Sequence, residues 1–216
     1  MSTDLTVRTR LQRTALRLEY LTIAWNLGEA FLTIGLGIAA GSLALIGFGT
    51  DSIIEVFASA VVVWHVRPGH ATDRPERTRR ALRLVAFAFL VLASVLATVA
   101  VRDLVTGRRA DESPFGIAYL AVTAVVMFAL AISKRRLAVR LGSAPLRSEA
   151  AMTFLDGVLS MFTLSGLALN AVLEWWWADP TAALLVAIAA ANEARENRRE
   201  AAELAEPPTV TGSGAP

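Results

Sequence analysis

Four acidic residues, Glu29, Asp51, Glu55 and Asp156, stand inside long apolar stretches of the sequence. A charge at the centre of a bilayer costs about 2.5–3.5 kcal/mol on insertion scales, so four uncompensated acids would cost roughly 10 kcal/mol or more. We find no Lys or Arg in these stretches at the depth of the acids. We therefore expect the carboxyl groups to be protonated, to face water or to hold a cation.

The spacing of these acids predicts polar faces on helices. Asp51 and Glu55 are four residues apart, which places them on one face of a helix. Around Asp156 and around Glu29, further side chains recur at steps of three and four and extend each face along its helix. The stripe that contains Asp156 also has Glu149, Met152, Ser160 and Thr163, and the stripe that contains Glu29 also has Thr22, Asn26 and Thr33.

Such an arrangement is suited to binding a divalent cation. Two carboxylates one helical turn apart, joined by a third from a facing helix, can act as its ligands. The bound cation would cancel the repulsion between the carboxylates. Without the cation, closely spaced carboxyl groups retain protons, so exchange of metal for protons is a natural coupling.

The composition indicates a membrane protein. The chain has 216 residues, of which 55% are hydrophobic and 19% charged, and it contains no Cys. Its mean hydropathy is +0.51. These values exclude a disordered chain, a disulfide scaffold and a Cys-based zinc module. The net charge of +2 does not support nucleic-acid binding, and the sequence shows no nucleophile–base pair or HExxH-like motif typical of an enzyme.

Six stretches meet or approach the roughly 20 apolar residues that a membrane span requires. Eighteen of the 21 Lys and Arg residues fall on one side if both termini are cytoplasmic. We therefore predict an all-α membrane protein with six transmembrane helices and cytoplasmic termini. The predicted spans are Tyr20–Ala40, Leu43–Val66, Ala81–Val101, Phe115–Ser133, Glu149–Leu173 and Pro180–Asn192.

This topology predicts three parts of the chain and one common depth for the acids. Residues 1–19 form a basic cytoplasmic segment, 20–192 the transport domain, and 193–216 a charged cytoplasmic tail with a disordered end. With a rise of about 1.5 Å per residue, all four acids fall near the midplane of a core about 30 Å thick. We expect helices 1, 2 and 5 to line a polar centre, and helices 3, 4 and 6 to be supporting walls.

Three motifs resemble the cation diffusion facilitator family. They are GSLALIGFGTDSIIE at 41–55, SEAAMTFLDG at 148–157 and WADP at 177–180. They resemble, in order, the second helix, the fifth helix and the start of the sixth helix of that family. The resemblance covers nearly all of residues 15–192.

The resemblance implies a fold, an activity and a site. The family exports zinc and related divalent metals, typically by proton antiport, through six helices that usually form a homodimer. Its transport site has one pair of ligands four residues apart on helix 2 and a similar pair on helix 5. By position these are Asp51 and Glu55, then Met152 and Asp156. Four further residues are expected to support the site or relay protons: Glu29, Asn26, Thr153 and Glu149.

The sequence departs from the family pattern in two respects. Met152 stands where a histidine or aspartate is usual, and Glu55 replaces the usual aspartate. A site with three carboxylates and no imidazole keeps Zn²⁺ as the first expectation but makes Mn²⁺, Co²⁺ and Fe²⁺ plausible. The family's C-terminal cytoplasmic domain has no counterpart in residues 193–216, so we expect a compact form. Its dimer would then form through the membrane helices or the tail.

Two other functions remain open from the sequence. One is a membrane metal sensor or scaffold that binds but does not transport, which Met152 and the short tail suggest. The other is a proton-coupled exporter of organic cations, which would place aromatic side chains beside the acids. An Ala- and Arg-rich composition with a single Lys suggests the inner membrane of a bacterium.

Overall fold

The computed structural model describes residues 2–40, 43–67, 75–107, 114–173, 175 and 177–205. These residues form six α-helices, and no strand occurs among them. The all-helical fold class is therefore confirmed. The helices are α1 (Ser2–Ala40), α2 (Leu43–Val66), α3 (Pro75–Thr106), α4 (Pro114–Leu141), α5 (Ala144–Leu173) and α6 (Ala178–Glu203).

Within the described parts of the chain, three helical segments are long and apolar enough to cross a membrane. They are Gly49–Val66, Pro75–Thr106 and Ala118–Leu141, in α2, α3 and α4. The predicted disorder beyond Pro207 and Pro208 falls on residues that lie outside the described part of the chain.

Most helices are longer than the predicted spans. Helix α1 begins at Ser2 rather than Tyr20, α4 continues to Leu141 rather than ending at Ser133, and α6 reaches Glu203. The predicted boundaries followed the change from apolar to charged residues. A helix does not end there, because Arg, Glu, Leu and Ala all have high helix propensity. Much of the basic sequence that was predicted as inner segments is therefore helical.

A tight hairpin joins α4 to α5. Gly142 adopts a positive φ of 60°, which glycine accepts without steric cost. The N–H of Ser143 donates to the carbonyl of Ala138 at 3.0 Å, and the N–H of Gly142 donates to that of Val139 at 3.3 Å. This pattern is a Schellman C-cap. The chain reverses within two residues, so the end of α4 lies beside the start of α5.

The helices form a ring of four and an adjoining pair. Helix α1 packs against α2 and α4, and α5 packs against α4 and α2, which closes the ring. Helices α3 and α6 pack against each other, and the pair contacts α2 and α5. The core between the pair and the ring is an apolar cluster that contains the fully buried Phe89. It includes Ile54, Ala58, Val85, Leu92, Met152, Leu159 and Val186.

Two glycines allow close approach of helices next to predicted ligands. A Cβ atom on Gly49, two residues before Asp51, would lie 2.5 Å from Cγ1 of Ile34 in α1. A Cβ atom on Gly157, directly after Asp156, would lie 3.2 Å from the ring of Phe128 in α4. Small residues at such crossings let helix backbones approach closely. These contacts set how near the acids of α2 and α5 lie to α1 and α4.

Candidate metal site and its buried polar network

The four predicted acids lie in the interior of the ring. Glu29, Asp51 and Glu55 are 4%, 8% and 3% exposed, and Asp156 is partly buried. The carboxyl group of Asp156 interacts electrostatically with those of the other three. We call these four residues the carboxylate centre. Helices α1, α2 and α5 supply all four of its members.

The carboxylate centre is not assembled as a coordination shell. Among the described residues, no three His, Cys, Asp or Glu side chains lie close enough together to hold a metal ion. Within the same part of the chain, neither Asp51 nor Asp156 forms an ion pair with a basic side chain. The Oδ2 atom of Asp156 is buried and has no hydrogen-bond partner among the residues that the structure describes. The carboxyl groups therefore have unused capacity to bind a cation, and their role as ligands stays a prediction.

Glu29 is held by a residue of α4 that the sequence did not indicate. The hydroxyl of Tyr119 donates to Oε1 of Glu29 at 2.6 Å, and Ser52 also hydrogen-bonds to Glu29. Tyr119 was overlooked because α4 was expected to be a supporting wall. Its sequence has few polar residues, and the hydroxyl of a tyrosine does not stand out in an apolar stretch.

Glu55 is linked to α5 through Thr153. The fully buried hydroxyl of Thr153 donates to Oε1 of Glu55 at 2.6 Å. The same hydroxyl lies 3.2 Å from Oε1 of Glu149 and accepts a hydrogen bond from Nζ of Lys134 at 3.1 Å. A threonine has one proton to donate, and the shorter contact assigns it to Glu55. Thr153 and Glu149, both expected to support the site, thus lie next to Glu55.

Lys134 corrects an expectation from the sequence. It is fully buried, and its Nζ atom lies 2.6 Å from Oε1 of Glu149 and 3.4 Å from Oε2 of Glu19. Ser59 also donates to Oε1 of Glu149, at 2.9 Å. The expectation that no basic side chain lies near the four acids therefore fails for Glu55, on which the charge of Lys134 acts. The ion pairs of Lys134 are nevertheless with Glu19 and Glu149. Lys134 was counted with an inner loop, but α4 continues through it and the hairpin folds it against α5.

We call Glu19, Ser59, Lys134, Glu149 and Thr153 the lysine cluster. All five are fully buried. They come from four helices, α1, α2, α4 and α5, and Thr153 connects them to Glu55. The expectation that α4 is only a supporting wall was accordingly wrong, since α4 supplies Lys134 here and Tyr119 beside Glu29. A sequence signal existed, because Lys134 is the single Lys of the chain.

Two other predicted residues, Met152 and Asn26, contact apolar side chains and the preceding turn of their own helix, respectively. Met152 is 2% exposed and belongs to the apolar cluster around Phe89. Asn26 is also buried, and its Nδ2 donates to the carbonyl of Thr22 in the preceding turn at 3.1 Å. Its Oδ1 is buried and finds no hydrogen-bond partner in the described ranges. The amide oxygen of Asn26 is therefore the atom that could accept a proton donor or a cation.

A separate cleft of about 490 Å³ opens between the ends of α4, α5 and α6. Arg147 on its wall donates to both carboxylate oxygens of Glu200 at 3.0 Å. Burial and the neighbouring Glu196 raise the pKa of Glu193, against the opposing effect of the nearby arginines. In this cleft an acidic and a basic side chain form an ion pair. Asp51 and Asp156 of the carboxylate centre have no such pair among the described residues.

Comparison with known families decides the class of this membrane protein. A family model described as the cation efflux transmembrane domain matches residues 20–204. The chain belongs to the cation efflux family. The resemblance noted from its motifs is thereby confirmed. Members of this family are integral membrane proteins, and as a class they are cation transporters rather than enzymes.

A curated relative shares most of this region. Transmembrane protein 163 from Xenopus laevis is 21% identical over 178 residues, which is 82% of this chain. The aligned region is 63% of the relative, so this chain spans less than two thirds of that protein's length.

Proposed function

We propose that this member of the family exports a divalent metal cation in exchange for protons. The cargo is Zn²⁺ or a related transition metal such as Mn²⁺, Co²⁺ or Fe²⁺. The observation that carries the proposal is the carboxylate centre. Its acids come from three helices and interact electrostatically inside the ring, and two of them lack a basic partner among the described residues. Buried acids without a counter-ion are retained where they bind a cation or protons.

In this proposal Asp51, Glu55 and Asp156 are the ligands. A cation that arrives from the cytoplasm displaces their protons, and rocking of the helices exposes the site to the outer side. Protons then return to the carboxylates and release the cation. Because the ligands bind either the metal or protons, movement of one is coupled to movement of the other.

The remaining site residues have supporting parts in the proposal. Met152 supplies a soft sulfur, which would favour softer transition metals over Mg²⁺ and Ca²⁺. To reach the metal its side chain must turn from the apolar cluster. Glu29, with Asn26 one helical turn earlier, relays protons, and Tyr119 holds its carboxyl group. Thr153 and Glu149 hold Glu55 in place.

The proposed setting is a bacterial inner membrane, with six spans, both termini in the cytoplasm and two copies forming a dimer. The chain has no Cys, so single cysteines report the topology cleanly. The exposed residues Thr106 and Arg199 suit this purpose. Thr106→Cys should react with a membrane-impermeant maleimide in intact cells, and Arg199→Cys should react only after the membrane is opened. The reverse pattern would contradict the orientation.

The decisive test is a flux measurement on purified protein in liposomes. An interior pH dye follows proton movement while Zn²⁺, Mn²⁺, Co²⁺ or Fe²⁺ is added outside. We expect one or more metals to drive proton movement in the unmodified protein and Glu55→Gln to abolish it. Glu196→Gln, the same change at an exposed position on α6, is the matched control and should retain full flux.

Two results would contradict the proposal and identify the alternatives. Calorimetric metal binding without any proton flux would indicate a sensor or scaffold. Proton movement driven by lipophilic amines, without competition from divalent metals, would indicate an exporter of organic cations.

A further inference from the structure

The lysine cluster encloses a single ammonium group completely. Lys134 is 0% exposed, and its Nζ atom lies within 3.4 Å of oxygen atoms from Glu19, Glu149 and Thr153. Burial of an ammonium ion costs several kcal/mol unless charged partners and hydrogen bonds compensate it. The three contacts supply that compensation. Most lysines near the ends of membrane helices extend towards the membrane surface. Lys134 is instead held at one place in the interior.

The lysine cluster contains more acidic than basic side chains. Two fully buried acids, Glu19 and Glu149, face one Lys. A third acid, Glu55, accepts a hydrogen bond from Thr153 of the cluster and interacts electrostatically with Lys134. The ammonium group thus serves more than one ion pair, and its field reaches a predicted metal ligand. In a protein interior, such a field is weakened far less by salt than on the surface.

The hydrogen bonds have a defined direction. Lys134 can only donate, so the hydroxyl of Thr153 accepts from it. The threonine proton then points away from Lys134, to Oε1 of Glu55 at 2.6 Å. Lys134 therefore decides which way this proton points and thereby positions the carboxyl group of Glu55.

From these contacts we propose that Lys134 is a positioning residue and a tethered counter-cation of the metal site. Its fixed positive charge stabilises the acid-rich interior when no metal is bound. The same charge repels the incoming divalent cation and lowers the affinity of the site, so that the cation can be released. This inference rests on the proposed function, since it concerns the affinity of the same site.

The inference predicts opposite effects for the two sides of one ion pair. Lys134→Gln removes a positive charge near Glu55, so Zn²⁺ or Mn²⁺ should bind more tightly. Glu149→Gln leaves Lys134 with less negative charge around it, so the same ions should bind more weakly. The double variant should return close to the affinity of the unmodified protein. For charges at this separation in a protein interior, each single change should shift the Kd by at least about threefold.

The measurement is isothermal titration calorimetry of the full chain in detergent, with Zn²⁺ and Mn²⁺ each used alone. Arg136→Gln is the matched control, because it removes a positive charge two residues away on an exposed face of α4; its Kd should stay unchanged. Lys134→Arg retains the charge and should keep the affinity near that of the unmodified protein. Flux assays should show Lys134→Gln with a lower KM and a lower maximal rate, because release is slowed.

Several outcomes would overturn the inference. A purely structural role predicts weaker binding in both single variants and a worse double variant. Equal affinities in all variants would also refute it. If Lys134→Gln does not fold, the double variant decides: affinity close to that of the unmodified protein supports the inference, and binding weaker than in Glu149→Gln refutes it. Failure of the unmodified protein to bind any divalent metal would instead refute the proposed function, and the inference with it.

Discussion

The carboxylate centre and the lysine cluster adjoin each other, but the buried acids of the two regions have different partners. In the lysine cluster, Glu19 and Glu149 face a fixed ammonium group at 3.4 and 2.6 Å. In the carboxylate centre, Glu29 and Glu55 receive hydrogen bonds from hydroxyl groups. Among the described residues, Asp156 keeps one buried oxygen without a hydrogen-bond partner, but Glu19 and Glu149 also have such oxygens. The ammonium group is therefore what distinguishes the two regions. Acids that already have a permanent cation contribute to structure, whereas acids that lack one can bind a mobile cation.

The largest expected effect comes from neutralising one acid of the carboxylate centre and measuring both activity and stability. Asp51→Asn should reduce metal-driven proton flux by at least about tenfold, since even loss of a residue that only supports a metal ligand costs 10–100-fold. Its thermal unfolding midpoint in detergent should not fall, because Asp51 forms no ion pair within the part of the chain that the structure describes. A fall in stability with full flux would reverse the roles assigned to the two regions.

Removal of the fixed cation should give the opposite result. Lys134→Met leaves Glu19 and Glu149 buried without their partner, which should lower the free energy of unfolding by about 3–5 kcal/mol. Adding Glu149→Gln to this variant should restore part of the loss, because one unpaired acid is removed. Chemical denaturation in detergent measures both variants. No loss in Lys134→Met would show that the cluster does not stabilise the fold.

The glycine contacts next to the carboxylate centre provide a third test. Gly49→Ala places a methyl group 2.5 Å from Ile34, and overpacking of this kind costs about 1–3 kcal/mol. It should also separate α1 from α2 and lower proton flux. Gly35→Ala is the control, because no atom of the described residues lies within 4 Å of the position that its new methyl group would take. Equal effects of the two changes would show that the close approach at Gly49 is unimportant.

The smallest expected effect concerns the hydroxyl that holds Glu29. Tyr119→Phe removes one hydrogen bond of 2.6 Å, which should reduce stability by about 0.5–1.5 kcal/mol. Proton flux should fall only a few-fold if Glu29 relays protons and does not bind the metal. A loss of flux as large as that of Asp51→Asn would place Glu29 among the ligands. Thermal unfolding and the liposome assay together distinguish these outcomes.

Much of the polar interior was predictable from residue type and spacing. Acids at steps of three and four within apolar stretches identified Glu29, Asp51, Glu55 and Asp156, because a buried carboxyl group in such a stretch is costly and therefore conspicuous. The same reasoning included Thr153 and Glu149, and the motifs around Asp51 and Asp156 identified the family. Tyr119 and Ser59 were not found, since a hydroxyl in an apolar stretch is common and costs little.

Lys134 shows why helix ends limit such predictions. The change from apolar to basic residues after Ser133 was taken as the end of a span, which assigned Lys134 to a loop. Whether a basic residue at a span's end extends to water or turns inward depends on the helix beside it. Here the Schellman turn at Gly142 brings Oε1 of Glu149 to 2.6 Å from Nζ of Lys134. Spacing along one helix cannot reveal this contact.

The sequence by itself determined an all-helical chain, its family and the acids that enter its interior, because hydrophobic patterning and the cost of buried charge act locally along each helix. Only the tertiary structure decided which acids acquire a permanent counter-ion. That outcome depends on distances between helices, which are set by the hairpin at Gly142 and the close packing at Gly49 and Gly157. Electrostatic interactions in a protein interior depend on such distances, and residue order within a single helix does not specify them.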